Sequence, residues 1–377
     1  ENVTSLHVVN SSSVNQSFTG TLYNGSGTQL GSANQALHGG SVASKGRVIL
    51  TAAQLESIFD VSPWSGPAML EVSGTANFEL MSKLVSPSGL ISNTNCVRES
   101  AVMNIEGFDS SNRTYVRFIN TSTSTISDIR GTLYDTDGNV IGNADSQLLA
   151  ELGAKEQVWI TRDNFASRVG AEWDGAAMLE VGSVSGLKLL NLNFVNNETF
   201  FNFSCFESSS SGRVYLMTNS ASDNVSFTHI VNTSGSTQQF TGTLYNGDGD
   251  QLGDAGVALH SGSVNSKGRI ILSASDLESL FGVSAWSGPA ILDVAGSGNF
   301  ELMTKLTSPS GLISNTNCVR SDEVHNIEGS DSMDMTYVRF INNGSQTMSN
   351  ITGTLYDSTG TQVGSANTTL RSTLAPN

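Results

Sequence analysis

An all-β array of repeated domains is the architecture this sequence predicts, and three observations carry it. Residues 1–155 recur as residues 223–377 at a fixed offset of 222 without a gap, with roughly 60% of the aligned residues identical. Gly20 matches Gly242, Trp64 matches Trp286 and Cys96 matches Cys318. A fainter period lies inside the first: Gly20-Thr21-Leu22-Tyr23 returns as Gly131-Thr132-Leu133-Tyr134, and Trp64 and Cys96 return as Trp173 and Cys205. The third observation is composition. With 38 glycines in 377 residues, only 14% charged residues and Ser, Thr and Asn at the polar positions, the chain favours strands and turns over charged helices.

A period of about 110 residues has the size of one independently folding domain and is too long for a solenoid repeat. The chain therefore reads A, B, A and part of B. Sequence alone sets a β-sandwich A1 at 1–98, an acidic junction at 99–112, a sandwich B1 at 113–206 and a serine-rich junction at 207–222. A2 follows at 223–320, then a second acidic junction at 321–334 and an incomplete sandwich B2 at 335–377.

Each domain should hold about seven strands and one short helix. The first strand is Leu6 to Asn10, with Leu6 and Val8 inward and His7 outward; its B counterpart is Val116 to Asn120, with Arg117 outward. Phe18 to Tyr23, a turn at Asn24-Gly25-Ser26-Gly27, and Gln29 to Gly31 make a hairpin. Lys45 to Leu50 is a strand that runs into the helix. Thr51 as N-cap with Gln54 three residues on is a capping box, and Leu55, Ile58 and Phe59 share one face; Ser273, Leu277, Leu280 and Phe281 repeat the pattern. Ala68 to Val72, Phe78 to Leu84 and Ile91 to Val97 complete the set. The run Glu207 to Gly212 reads as a loose hinge, and Glu99 to Asn112 as a stiffer polar joint.

The net charge of −16 and pI of about 4.6 argue against nucleic acid or an anionic membrane as partner. No apolar run is long enough to span a bilayer. The chain starts at Glu1 without Met, as a processed or excised segment would.

No catalytic arrangement is signalled. Cys96, Cys205 and Cys318 occur once per domain, too far apart for bridges within the chain, and are expected as buried free thiols, the alternative being cross-links between chains. His7 and His229 occupy the position of Arg117 and Arg339, which reads as a solvated cation site. Two groups are candidate calcium ligands, Glu99, Glu106 and Asp109 in the acidic junction, and Asp135 and Asp137 in a turn whose equivalents, such as Asn24-Gly-Ser-Gly, ask only for tight geometry. No other cofactor is indicated. Trp64, Trp173 and Trp286 are expected to pack in cores, the alternative being stacking on sugars. Lys83 and Lys305 lie in apolar strands, the setting of an internal isopeptide bond, although B has Leu192 there. Asn-X-Ser/Thr sequons, among them Asn10, Asn24, Asn120 and Asn232, read as turns open to glycosylation.

The run Gly-Thr-Leu-Tyr-Asn/Asp before a glycine turn, Trp-Ser-Gly and Tyr-Val-Arg-Phe-Ile-Asn resembles the tandem Ig-like β-sandwich repeats of bacterial surface proteins, adhesins and extracellular fibres. That resemblance covers the whole chain at the level of architecture. It implies a non-enzymatic structural segment, secreted or displayed at a cell surface, whose partners are further repeats, other copies of itself or glycans. A carbohydrate-binding module array attached to an enzyme or surface protein is the rival. The last domain should expose the inner face of a half-sandwich at Val338, Phe340, Leu355 and Val363, to be completed by more chain or by strand addition. A1, with what reads as a full strand set, has little to donate.

Overall fold

The structure, a computed structural model, describes residues 3–85, 91–93, 97–195, 199–202, 208–309, 313–315, 324, 327 and 338–376. It is all-β apart from three short helices, and falls into two compact units, Glu1–Cys205 with Thr354–Ala366, and Phe206–Gly353 with Asn367–Asn377. Cys96, Cys205 and Cys318 lie outside the described residues.

In the first unit the A1 repeat runs β1 (Val3–Val9), β2 (Thr19–Asn24), β3 (Gln29–Ala36), β4 (Arg47–Thr51), α1 (Ala52–Phe59), β5 (Ala68–Ser73), β6 (Glu79–Val85) and β7 (Ile91–Asn93). Its strands form two antiparallel sheets, β4-β1-β6-β7 and β3-β2-β5. Val8, Phe18, Leu22, Val48, Leu50, Leu55 and Phe59 fill the space between the sheets and the helix.

The B1 repeat, also in the first unit, runs β8 (Ala101–Glu106), β9 (Arg113–Asn120), β10 (Ile126–Tyr134), β11 (Val140–Leu152), β12 (Gln157–Thr161), α2 (Arg162–Val169), β13 (Ala176–Val181), β14 (Leu187–Val195) and β15 (Thr199–Asn202). The sheets are β11-β10-β13-β8 and β12-β9-β14-β15. Sequence set residues 99–112 apart as a junction, but Ala101–Glu106 is a strand of the domain, antiparallel to β13. Its two apolar side chains explain why: Val102 and Ile105 are buried in the B1 core beside Leu179 and Ala177, which a solvated linker would not permit.

The second unit repeats the pattern with β16 (Ser208–Met217), β17 (Val225–Asn232), β18 (Phe240–Tyr245), β19 (Gln251–Ala258), β20 (Arg269–Ser273), α3 (Ala274–Phe281), β21 (Ala290–Thr307) and β22 (Ile313–Asn315). β21 is one long strand: β18 and most of β16 pair with its first part, up to Gly296, and β17, β22 and the start of β16 pair with its second part, from Phe300. The serine run read as a hinge is thus the start of β16, held because Val214 and Met217 enter the core. The fourth repeat contributes a hairpin of β23 (Met348–Tyr356) and β24 (Gln362–Leu374). Val338, Phe340, Leu355 and Val363 are exposed, as the sequence suggested.

All three helices start at a complete capping box, at Thr51 with Gln54, Thr161 with Asn164, and Ser273 with Asp276. Each ends on a residue in the left-handed region, Asp60, Gly170 or Gly282. Leu277 and Phe281 are buried, whereas Leu280 is on the exposed side, so the apolar face is narrower than the i, i+3, i+4 reading made it. The hairpin meets the helix end at Gly31, Gly142 and Gly253, where a Cβ would stand 2.1, 2.3 and 2.2 Å from the carbonyl oxygens of Phe59, Val169 and Phe281.

One difference separates the copies. Beside β13 lies β8 and beside the first half of β21 lies β16, but among the described residues nothing pairs with the equivalent edge of β5. The reading of A1 as a full strand set is corrected accordingly. Trp173 and Trp286 are each 6% exposed within their cores, while Trp64 is only half-buried, because the core of A1 is open along that edge.

Candidate interdomain joint

The hairpin turn between the second and third strands of each repeat has one geometry in four copies. Asn24, Asp135, Asn246 and Asp357 each take the first position, and the side-chain Oδ1 of each accepts from the backbone N–H two and four residues on. The fourth position is always glycine with positive φ: Gly27 at 77°, Gly138 at 82°, Gly249 at 88° and Gly360 at 83°. Asp135 is therefore satisfied by its own turn, Oδ1 by the N–H groups of Asp137 and Asn139 at 2.9 and 2.8 Å. The carboxylate does the work that Asn24 does in A1, and the calcium reading is unnecessary there.

In the first unit this turn docks onto the next repeat. Gln157 N–H, at the start of β12, donates to Gly25 O at 2.8 Å, and Ser26 bridges Glu156 in antiparallel fashion. A Cβ at Gly27 would stand 2.1 Å from Ala154 O, so glycine is required by space as well as by φ. Lys155, also at positive φ (59°), anchors the receiving loop. Its ammonium donates to Thr121 O at 2.5 Å and to the Glu71 carboxylate of A1, and lies 5.8 Å from the Tyr23 ring. Burial, and then the Glu71 charge, raise the Tyr23 hydroxyl above its ordinary pKa.

An apolar patch backs these bonds. Met69, on the outer side of β5, packs with Ile119, Leu190, Leu192 and Trp159 on the outer face of the β12-β9-β14 sheet. Arg117 lies on that face, its guanidinium 4.0 Å from the centre of the Trp159 ring and donating to Gln157 Oε1 at 3.0 Å. Burial pushes its pKa down to about 10. The sequence reading made this an outward, solvated position; it is outward from its own core but buried, on the face against which Met69 of A1 packs.

The same bond forms a second time in the first unit. Arg47, the equivalent of Gln157, donates its backbone N–H to Ser358 O at 3.0 Å, and Ser358 is the equivalent of Gly25. A Cβ at Gly360 would stand 2.5 Å from Ser44 O, matching Gly27. The receiving loop is again held by a lysine at positive φ, Lys45 (64°), whose ammonium donates to Ser11 O at 2.9 Å. An A turn thus docks on a B loop, and a B turn docks on an A loop, through one backbone hydrogen bond.

The remaining candidates disperse. Glu99 accepts from Lys188 at 2.6 Å, which with its charge holds the carboxyl below the usual range. Glu106 accepts from Asn104 at 3.1 Å, and Asp109 accepts from Gly175 N–H at 2.8 Å. The three carboxylates face different partners, and among the described residues no group of three or more His, Cys, Asp or Glu could hold a metal ion. His7 and His229 are buried, not solvated. His229 lies in register between Ile271 and Met303, and burial, with the nearby Arg269 and Lys305 charges, pushes its pKa down to about 3. Lys83 and Lys305 are half-buried, opposite Ser5 and Phe227.

Sequence reasoning missed the residue that organises the strand ends. Asn10, Asn120 and Asn232 are fully buried. Asn232 Nδ2 donates to the carbonyls of Ser236, Val264 and Asn265 at 2.8–3.0 Å, and its Oδ1 accepts from Ser234 and Gln238. Asn10 and Asn120 repeat the donor set, and Asn342 donates to the matching carbonyls of Gln346 and Leu374. The sequons at Asn10, Asn120 and Asn232 are therefore not open turns: the nitrogen that would carry a glycan is engaged inside the protein. Their recurrence at the end of every first strand was the available signal.

No protein-family model and no curated protein matches the chain. Among solved structures it is similar to one described as "The Triple Jelly Roll Fold and Turret Assembly in an Archaeal Virus", with 8% identity over 80% of this chain and 78% of that one and a TM-score of 0.15. Another, "Structure of infectious bursal disease virus Gt strain", has 10% identity over 81% and 70%, with a TM-score of 0.12. At such scores the reading of this chain rests on its own sheets and joint.

Proposed function

We propose that the chain is a non-enzymatic structural segment of a secreted or cell-surface repeat protein, an extracellular fibre, stalk or adhesin built of tandem Ig-like β-sandwich domains. The observation that supports this most is the joint, in which equivalent turns, lysines and glycines make the same bond from A to B and from B to A. An array needs a joint that can be repeated, and both repeat types here carry the turn and the receiving loop. Its partners on this reading are further repeats or copies of the same chain.

The rival, an array of carbohydrate-binding modules, needs aromatic faces open to a sugar. Trp173 and Trp286 are core residues, and the Trp159 ring is covered by Arg117, which weighs against it. Negative-stain microscopy of the native material tests the proposal. Continuous fibres or stalks with a periodic bead pattern support it, whereas isolated particles that are retained on a glycan array overturn it in favour of the rival.

A further inference from the structure

The equivalent sheet edge is occupied in two repeats and, among the described residues, unpaired in the third, and the occupants define what fits. In B1, Val102 lies opposite Leu179 and Ile105 opposite Ala177. In A2, Val214 lies opposite Leu292 and Met217 opposite Ala290, with a register irregularity between them as in B1. Both strands therefore place two apolar side chains, three residues apart, into the core. All four are buried, at 1% exposure or less.

Two further positions are specific to A2. Arg213 stands opposite Asp293 and grips its carboxylate with two bonds, Nε to Oδ1 and Nη2 to Oδ2 at 2.7 Å. The residue before it is Gly212, where a Cβ would come 2.8 Å from Leu302. Translated to A1 by the offset of 222, Leu292, Ala290, Asp293 and Leu302 are Leu70, Ala68, Glu71 and Leu80. The apolar residues are the same and a carboxylate stands at the same place, Glu71 for Asp293, but Trp64, Ala68, Leu70, Val72, Phe78 and Leu80 are only partly buried, whereas their A2 equivalents are buried.

We infer that the free edge of β5, Ala68–Ser73, is an acceptor site for an antiparallel strand with the chemistry of β16: a small residue, then an arginine, then an apolar residue, then a second apolar residue three positions on. The small residue passes Leu80, the arginine joins Lys155 on the Glu71 carboxylate, and the apolar pair closes the strip over Leu70 and Ala68. The mode is strand addition, in which backbone bonds supply affinity and the alternate side chains supply specificity. A strand of the β8 kind has Ala101 at that position, opposite Glu180, and so adds no second cation to the carboxylate that Lys155 already holds.

The test adds a synthetic peptide of residues 208–218 to the intact chain and follows backbone hydrogen exchange. Exchange within residues 68–73 is expected to slow on the order of tenfold, with weaker binding for the peptide carrying Arg213→Ala and none for the one carrying Val214→Asp. Unchanged exchange at 68–73, protection confined to residues 290–296, or equal binding of the Val214→Asp peptide would overturn the inference. A second arm fuses residues 208–222 ahead of Glu1. Protection of the same β5 amides supports the site, and exchange as fast as in the unfused chain contradicts it.

Discussion

Asn232 shows what one residue does when its backbone neighbours have no other partner. Three carbonyls and two side-chain donors converge on it inside the domain, so removing its amide strands several buried polar groups at once. Asn232→Ala is expected to destabilise its domain by about 3 kcal/mol. Asn232→Asp, which keeps the shape but cannot donate, should be no better; urea unfolding checks both. His229 carries a second prediction. Its pKa falls from 6.5 to about 3 on folding, so between those values the unfolded chain binds the extra proton and stability falls as pH drops. The slope can reach about 1.4 kcal/mol per pH unit. His229→Gln should flatten the acid limb between about pH 6.5 and 3, and an unaltered slope in the variant would count against the burial argument.

At the scale of elements, the edge strand decides how much each core residue contributes. Trp286 is enclosed by β16, and Trp286→Ala should cost about 3–5 kcal/mol. Trp64 is the same residue type at the same position, yet its core is open along β5, so Trp64→Ala should cost clearly less. Separate transitions in calorimetry, assigned by single variants, make the comparison; equal losses would mean the open edge has no energetic consequence.

At the scale of repeats, the first unit makes a single turn-to-loop joint twice. Lys155 holds the receiving loop and also reaches Glu71 in the preceding repeat. Lys155→Met should leave the two-sheet core of B1 intact while raising exchange at the Gln157 N–H and in the turn at residues 24–28. Gly27→Ala should do the same from the other side, because both its φ and its 2.1 Å approach to Ala154 O exclude a side chain. If exchange at Gln157 is unaltered in both variants, the turn-to-loop bond is not what joins these repeats.

Residues 1–377 announced their own repetition, because a tandem duplication survives as literal identity. The helix was legible for a local reason: Thr51, Gln54, Leu55 and Phe59 interact within one turn or two. The Asx turns were legible in the same way, and comparing Asp135 with Asn24 sufficed to prefer a turn over a metal loop. Long-range partnership was not legible. Ala101–Glu106 and Ser208–Met217 looked like polar linkers because strand identity at a sheet edge rests on two apolar side chains and on hydrogen bonds to a distant strand. His7 and Arg117 looked solvated because alternation reports only which face a residue takes, not whether another body covers that face. What tertiary structure alone decided was what lies against the outer side of each sheet, and that is where the joint and the open edge of β5 are found.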